Sequence, residues 1–191
     1  MPTKANTGQS DMLRVLNSDD GSLVTIGLDG LVLKVVLKYN SSGLMPNISP
    51  EILVDRETRA LMMLSGIAGI QEFVGRVSPI SFKSVYIPGT TLKTHGPGLS
   101  DDYFDEIRCI IESCESIGVY RLGLNRYNFM VTPELRPRLL DFGNVLFEDD
   151  VAARSPLLLN HVTSSSLNRI EMLRNEYVRQ LKNPSGTLPA H

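Results

Sequence analysis

The feature that most limits what this chain can fold into is Lys34, set in the middle of the continuous apolar run from Leu31 to Leu37. A run without polar alternation predicts a strand covered on both faces, here with a cation inside it. Two shorter apolar runs precede it, Met12 to Leu16 and Ser22 to Leu28. They are separated by Ser18-Asp19-Asp20-Gly21, and Asp29-Gly30 follows the second. Asp-Gly pairs favour tight hairpin turns, so the three runs predict an antiparallel meander beginning near Met12.

Ser49-Pro50-Glu51 then supplies a helix cap, a proline at the first helical position and an acid in the first turn. The spacing predicts a helix from Pro50 to about Leu64 with Val54, Leu61 and Leu64 on its apolar stripe. Glu57 falls three after Val54 and four before Leu61, so a carboxylate faces inward with that stripe. Two more strands are expected, Gly75 to Ile80 and Ser84 to Ile87, ending at Pro88-Gly89. This gives a layer of five strands and one helix.

A second layer opens at Ser100-Asp101-Asp102, a cap and acidic first turn. Phe104, Ile107, Ile110, Ile111, Cys114 and Ile117 then recur at helical spacing, with Gly118 as the stop. Short strands are expected at Phe129 to Thr132 and Pro137 to Leu140, joined by a turn at Pro133 to Arg136, with Asp141-Phe142-Gly143 closing the hairpin. A last helix is expected from Leu167 to Leu181. Residues 1–11 read as a flexible arm, 12–183 as one domain divided near residue 88, and 184–191 as a frayed tail.

Phosphoryl transfer needs a cation on the nucleotide phosphates, oxygen ligands for magnesium and a residue that orients the nucleophile. Lys34 in a strand, Glu57 on the inward stripe of the next helix, Asn128 just before one strand and Asp141 just after the next occur in the order that chemistry uses. The segment Val119-Tyr120-Arg121-Leu122-Gly123-Leu124-Asn125-Arg126-Tyr127-Asn128-Phe129 is similar to the catalytic loop of minimal protein-kinase-like proteins. In their lipopolysaccharide-kinase and fungal kinase-like members this loop often reads V-x-H-G-D-L-N-x-x-N-hydrophobic. Leu124, Asn125 and Asn128 align without gaps, which sets Arg121 at the family's histidine and Gly123 at its catalytic aspartate.

The resemblance implies an α+β, protein-kinase-like fold: a small antiparallel five-stranded N-lobe with one helix, residues 12–88, and a truncated, mostly helical C-lobe, residues 89–183. It implies ATP and Mg2+ as ligands. Lys34 would contact phosphate, Glu57 would be its ion-pair partner, and the backbone at Tyr86 and Ile87 would hold adenine. Asn128 and Asp141 would hold the metal.

The chain also departs from the family. The turn that usually cradles phosphate with glycines carries Asp19 and Asp20, and a like-charge contact at about 4 Å costs on the order of a few kcal/mol near a surface. Gly123 has no side chain to act as the general base, a loss of roughly a hundred- to ten-thousandfold in rate. Only 48 residues follow Gly143, too few for the usual peptide-binding helical lobe. These departures favour a degenerate kinase, a pseudokinase that works through a protein partner. One alternative is an active atypical transferase in which Arg121 or Asn125 positions the acceptor. Another is a scaffold reused for an unrelated small molecule.

Other classes have less support. A formal net charge of −2 gives no basic excess for nucleic acid or an acidic membrane. His95, His161 and His191 lack metal-binding spacing, and no G-x-S-x-G elbow occurs. Asp101-Asp102 and Asp149-Asp150 read as helix-start charges and a solvated loop, not acid/base dyads. Cys109 and Cys114, five apart on one helix, face different sides, so a reducing, cytoplasmic setting is expected.

Overall fold

The computed structural model describes residues 12–18, 21–37, 48–121, 124–152 and 155–182. The expected arm and tail, the turn at Asp19-Asp20 and position Gly123 lie outside the described residues. The meander appears as β1 (Met12–Ser18), β2 (Ser22–Gly27) and β3 (Leu31–Val36). Gly30 donates its amide to the Gly27 carbonyl in the turn between the last two. Val32, Lys34 and Val36 share one face of β3, and the two valines are fully buried. The opposite face is only half-buried, which corrects the expectation of a strand covered on both sides.

Helix α1 (Pro50–Met63) starts where the cap signal lies: Ser49 is extended, and its hydroxyl accepts the Ile52 amide. Leu53, Val54, Ala60, Leu61 and Leu64 are buried, and Glu57 is buried among them. The next strands are β4 (Phe73–Ser78) and β5 (Ser81–Val85), shifted toward the N-terminus of the expected ranges. Pro79 has no amide for a ladder, and the Ser78 and Ser81 hydroxyls meet at 2.7 Å across it, so the turn sits at Pro79-Ile80. The sheet order is β1-β2-β3-β5-β4, antiparallel throughout.

The second layer begins with β6 (Thr90–Thr91) and the single turn α2 (Leu92–His95), neither foreseen from the sequence. Helix α3 (Asp101–Ser116) follows, with Phe104, Ile107, Ile110, Ile111 and Cys114 buried and Cys109 exposed, as the spacing requires. Then come β7 (Val119–Arg121), β8 (Phe129–Val131), β9 (Pro137–Leu139), β10 (Val145–Phe147), α4 (Glu148–Ala152) and α5 (Pro156–Lys182). Strands β6, β8 and β9 form one small sheet, and β10 pairs with β7 in another.

Helix α5 starts eleven residues earlier than expected. The stretch from Asn160 to Ser166 is composed of residues that favour helix weakly. Burial of Val162 and Ser166 overrides that preference, and the Ser166 hydroxyl returns to the Val162 carbonyl. Asp149 and Asp150 belong to α4 rather than to a solvated loop, and each pairs with an arginine of α1.

The crossover between layers runs through Gly89, which has φ of 138°. A methyl group there would overlap the Val131 carbonyl oxygen, so the connecting backbone lies directly against β8. Gly66 also has positive φ, 86°, but open space around it. Gly89→Ala should therefore cost about 2–3 kcal/mol or more and Gly66→Ala only about 1 kcal/mol, read from urea midpoints. Equal losses would mean the close approach at Gly89 does not hold the layers.

Candidate functional site

Lys34 extends from the centre of the sheet, between Val24 of β2 and Phe82 of β5. Its ammonium donates to both oxygens of Glu57, at 2.8 and 2.7 Å. It also donates to Oδ1 of Asp141 at 3.1 Å. The expected cation, helix carboxylate and downstream aspartate thus meet at one point, brought from residues more than a hundred positions apart.

Asp141 has φ of 62°, left-handed backbone that aspartate tolerates better than most residues but that still costs on the order of 1 kcal/mol or more. Its side chain is half exposed, and Oδ1 also accepts the Gly143 amide at 3.4 Å. The Phe142 amide donates to Oε1 of Glu57 at 3.3 Å, and the Phe142 ring is buried in the core. The triplet is therefore held both by the ion-pair cluster and by an anchored aromatic ring.

Burial works against the charge on both Lys34 and Glu57. For Lys34 that penalty is outweighed by Glu57 and then Asp141, so its pKa is raised and it stays protonated. For Glu57 burial dominates and the carboxyl is pushed up, with Asp141 adding to the rise and Lys34 and the Phe142 amide opposing it.

Asn128 is placed beside Asp141 by strand pairing. Phe129 faces Leu139 across β8 and β9, and the Leu140 amide donates to the Asn128 carbonyl at 2.9 Å. Asn125 shapes the preceding loop: its side-chain oxygen accepts the Tyr127 amide at 2.9 Å, and its carbonyl accepts the Asn128 amide. Tyr86 and Ile87 follow β5 and are half-buried, with the Tyr86 amide donating to the Gly30 carbonyl at 3.3 Å. The backbone of Arg121 ends β7, while Gly123 lies outside the described residues.

One part of the site was not read from the sequence. Arg56 and Arg59, three apart on α1, flank the ring of Phe147, the latter guanidinium 3.9 Å from its centroid. Arg56 donates to the Val145 carbonyl and pairs with Asp150, and Arg59 pairs with Asp149. This ties the helix that carries Glu57 to the segment that follows Asp141. The sequence signal for it was the run Glu148-Asp149-Asp150, opposite in charge to the arginines of α1.

Among solved structures, the chain is similar to that of WbdD co-crystallised with the kinase inhibitor LY294002, with a TM-score of 0.53 and 15% identity. The fold is kinase-like. The match covers 68% of this chain but only 32% of the WbdD chain, so the protein spans about a third of the length of that neighbour. A scan against family models gives no match, and neither does a search of curated proteins. No helix among the described residues is long and apolar enough to cross a membrane.

In this kinase-like fold Lys34→Met would leave the Glu57 carboxylate buried without its cation, a change that typically costs about 3–5 kcal/mol. Glu57 would then take up a proton more readily than in the unfolded chain. A carboxyl with a raised folded pKa is most favourable to folding below its unfolded value and loses that contribution as pH rises through the folded one. The variant should thus be closest to wild type in mildly acidic solution and weakest in mildly alkaline solution. Lys34→Met combined with Glu57→Gln should recover part of the loss. Urea midpoints across that range read both effects, and a pH-independent loss would contradict the buried-pair account.

Proposed function

We propose that this protein is a nucleotide-binding pseudokinase of the lipopolysaccharide-kinase-like type, holding ATP and Mg2+ in the cleft between its layers and acting through contacts with a protein partner. The observation that carries this reading is the meeting of Lys34, Glu57 and Asp141 with Asn128 beside them. The donor set suits the ligand. Magnesium keeps several waters and takes one or two protein oxygens plus phosphate oxygens, and Asp141 with Asn128 supplies that number. The Lys34 ammonium, released in part from Asp141, would meet the phosphates. Adenine recognition falls to the backbone at Tyr86 and Ile87. Because the Tyr86 amide is engaged with Gly30, the Ile87 backbone is the better candidate for that contact.

The sequence alignment that puts Gly123 at the base position is what disfavours ordinary phosphoryl transfer. A second reading, an active atypical transferase using ATP, draws on Asp141. A carboxylate kept in a costly left-handed conformation against Lys34 is a form of strain that often accompanies chemistry.

Thermal unfolding with ATP, with and without magnesium, tests the reading in wild type, Lys34→Met and Asp141→Asn. At about a hundredfold excess over Kd, ligand binding should raise the midpoint by roughly 5–10 °C in wild type. Asp141→Asn should remove the magnesium-dependent part, and Lys34→Met most of the whole. A flat response in all three proteins would sink nucleotide binding. Transfer of labelled phosphate that Asp141→Asn abolishes would replace the pseudokinase by the transferase.

A further inference from the structure

The small sheet β6-β8-β9 aligns more than the two residues assigned to magnesium. Thr91 faces Met130 across β6 and β8, so the start of α2 lies on the opposite side of the Asn128 loop from Leu140 and Asp141. The Lys93 amide donates to the Arg126 carbonyl at 3.0 Å, which fixes that neighbour relation. With strands about 4.8 Å apart, the backbones at the two ends of this row are roughly 10 Å from each other, with Asn128 between them.

Lys93 is exposed, and its ammonium donates to the Tyr127 hydroxyl at 2.7 Å while lying 4.6 Å from that ring's centroid. Tyr127 is itself exposed. Arg126 stands on the same loop and pairs with Glu176 at 3.0 Å, and it also engages the hydroxyl of Tyr177. Arg126 is thus matched by a carboxylate, whereas Lys93 is held by a phenol. The exposed phenol offers Lys93 a neutral hydrogen-bond acceptor, and an anion is the stronger acceptor for that ammonium.

We propose that Lys93, with Tyr127 and Arg126, receives a phosphate or carboxylate group of a small-molecule ligand at the end of the cleft away from Lys34. Describing this ligand as a second one, bound beside a nucleotide, rests on the nucleotide reading above; the anion site itself does not. Lys93 supplies the charge, Tyr127 supplies a hydroxyl that can donate once the ammonium turns to the ligand, and Arg126 adds long-range attraction.

Titration of the nucleotide-free protein at constant ionic strength with phenyl phosphate, phthalate and uncharged benzyl alcohol separates the possible sources. The expected result is saturable binding of one or both anions, seen by calorimetry, and none of the alcohol. The anion that binds more tightly names the ligand's group. Lys93→Met and Lys93→Gln should weaken that anion about tenfold, as loss of a charge-assisted hydrogen bond does, while Lys93→Arg should stay close to wild type. Both neutral variants should keep the wild-type response to ATP and magnesium. Lys34→Met should lose the ATP response and keep the anion. Binding of the alcohol as tightly as the anions, or an anion affinity unchanged in Lys93→Met and Lys93→Gln, overturns the site. Anion binding in a protein that gives no ATP response would overturn the nucleotide reading and leave this one standing.

Discussion

The structure depends on a largely buried ammonium shared between a buried carboxylate and a half-exposed one. Lys34 is carried by the central strand of the sheet, Glu57 by helix α1 packed on it, and Asp141 by the far layer. Taking Lys34 and Glu57 out of water costs several kcal/mol each, and the cost is offset only when the two arrive in register. The cluster therefore acts as a test of assembly. If α1 rotated by one residue, Lys34 and Glu57 would lose each other, and if the segment after β9 shifted, Lys34 would keep Glu57 and lose its third partner, Asp141. The backbone amide of Phe142, bonded to Glu57, makes the same demand on the neighbouring residue.

Two further contacts keep the cluster together from outside. The arginine pair on α1 grips Phe147 and the aspartates of α4, so the helix position is set from both ends of the triplet's segment. Gly89 lets the crossover backbone rest on β8, which holds the small sheet under the cleft. That sheet then spaces Asp141, Asn128 and the Lys93–Tyr127 pair along one edge. Charge on the two sides of Asn128 differs in kind: a cation satisfied by carboxylates at one side, and a cation resting on a phenol at the other.

Much of this was legible in residue order. The capping signal at Ser49-Pro50-Glu51 and the phase of Glu57 within the stripe of α1 were read correctly, because helix geometry turns spacing into a shared face. The same holds for α3, where the buried and exposed cysteines follow from their five-residue separation. What was misread was set by partners distant in sequence. β10 is three residues long and exists only because β7 pairs with it, and the first turns of α5 are helical because Val162 and Ser166 find a buried place. The β4–β5 turn was misplaced because hydrophobic pattern alone did not reveal the serine pair across Pro79.

The sequence by itself determined the order of the charged groups, the elements that carry them and the letter at position 123, since these depend on local spacing and identity. Only the tertiary structure decided that Lys34 would bond Glu57 and Asp141 at once, that Asp141 would adopt a left-handed backbone to do so, and that Lys93 would meet Tyr127. Those contacts join residues from 23 to 107 positions apart. Their formation rests on how two layers pack, and a pattern of spacing within one element carries no record of that distance.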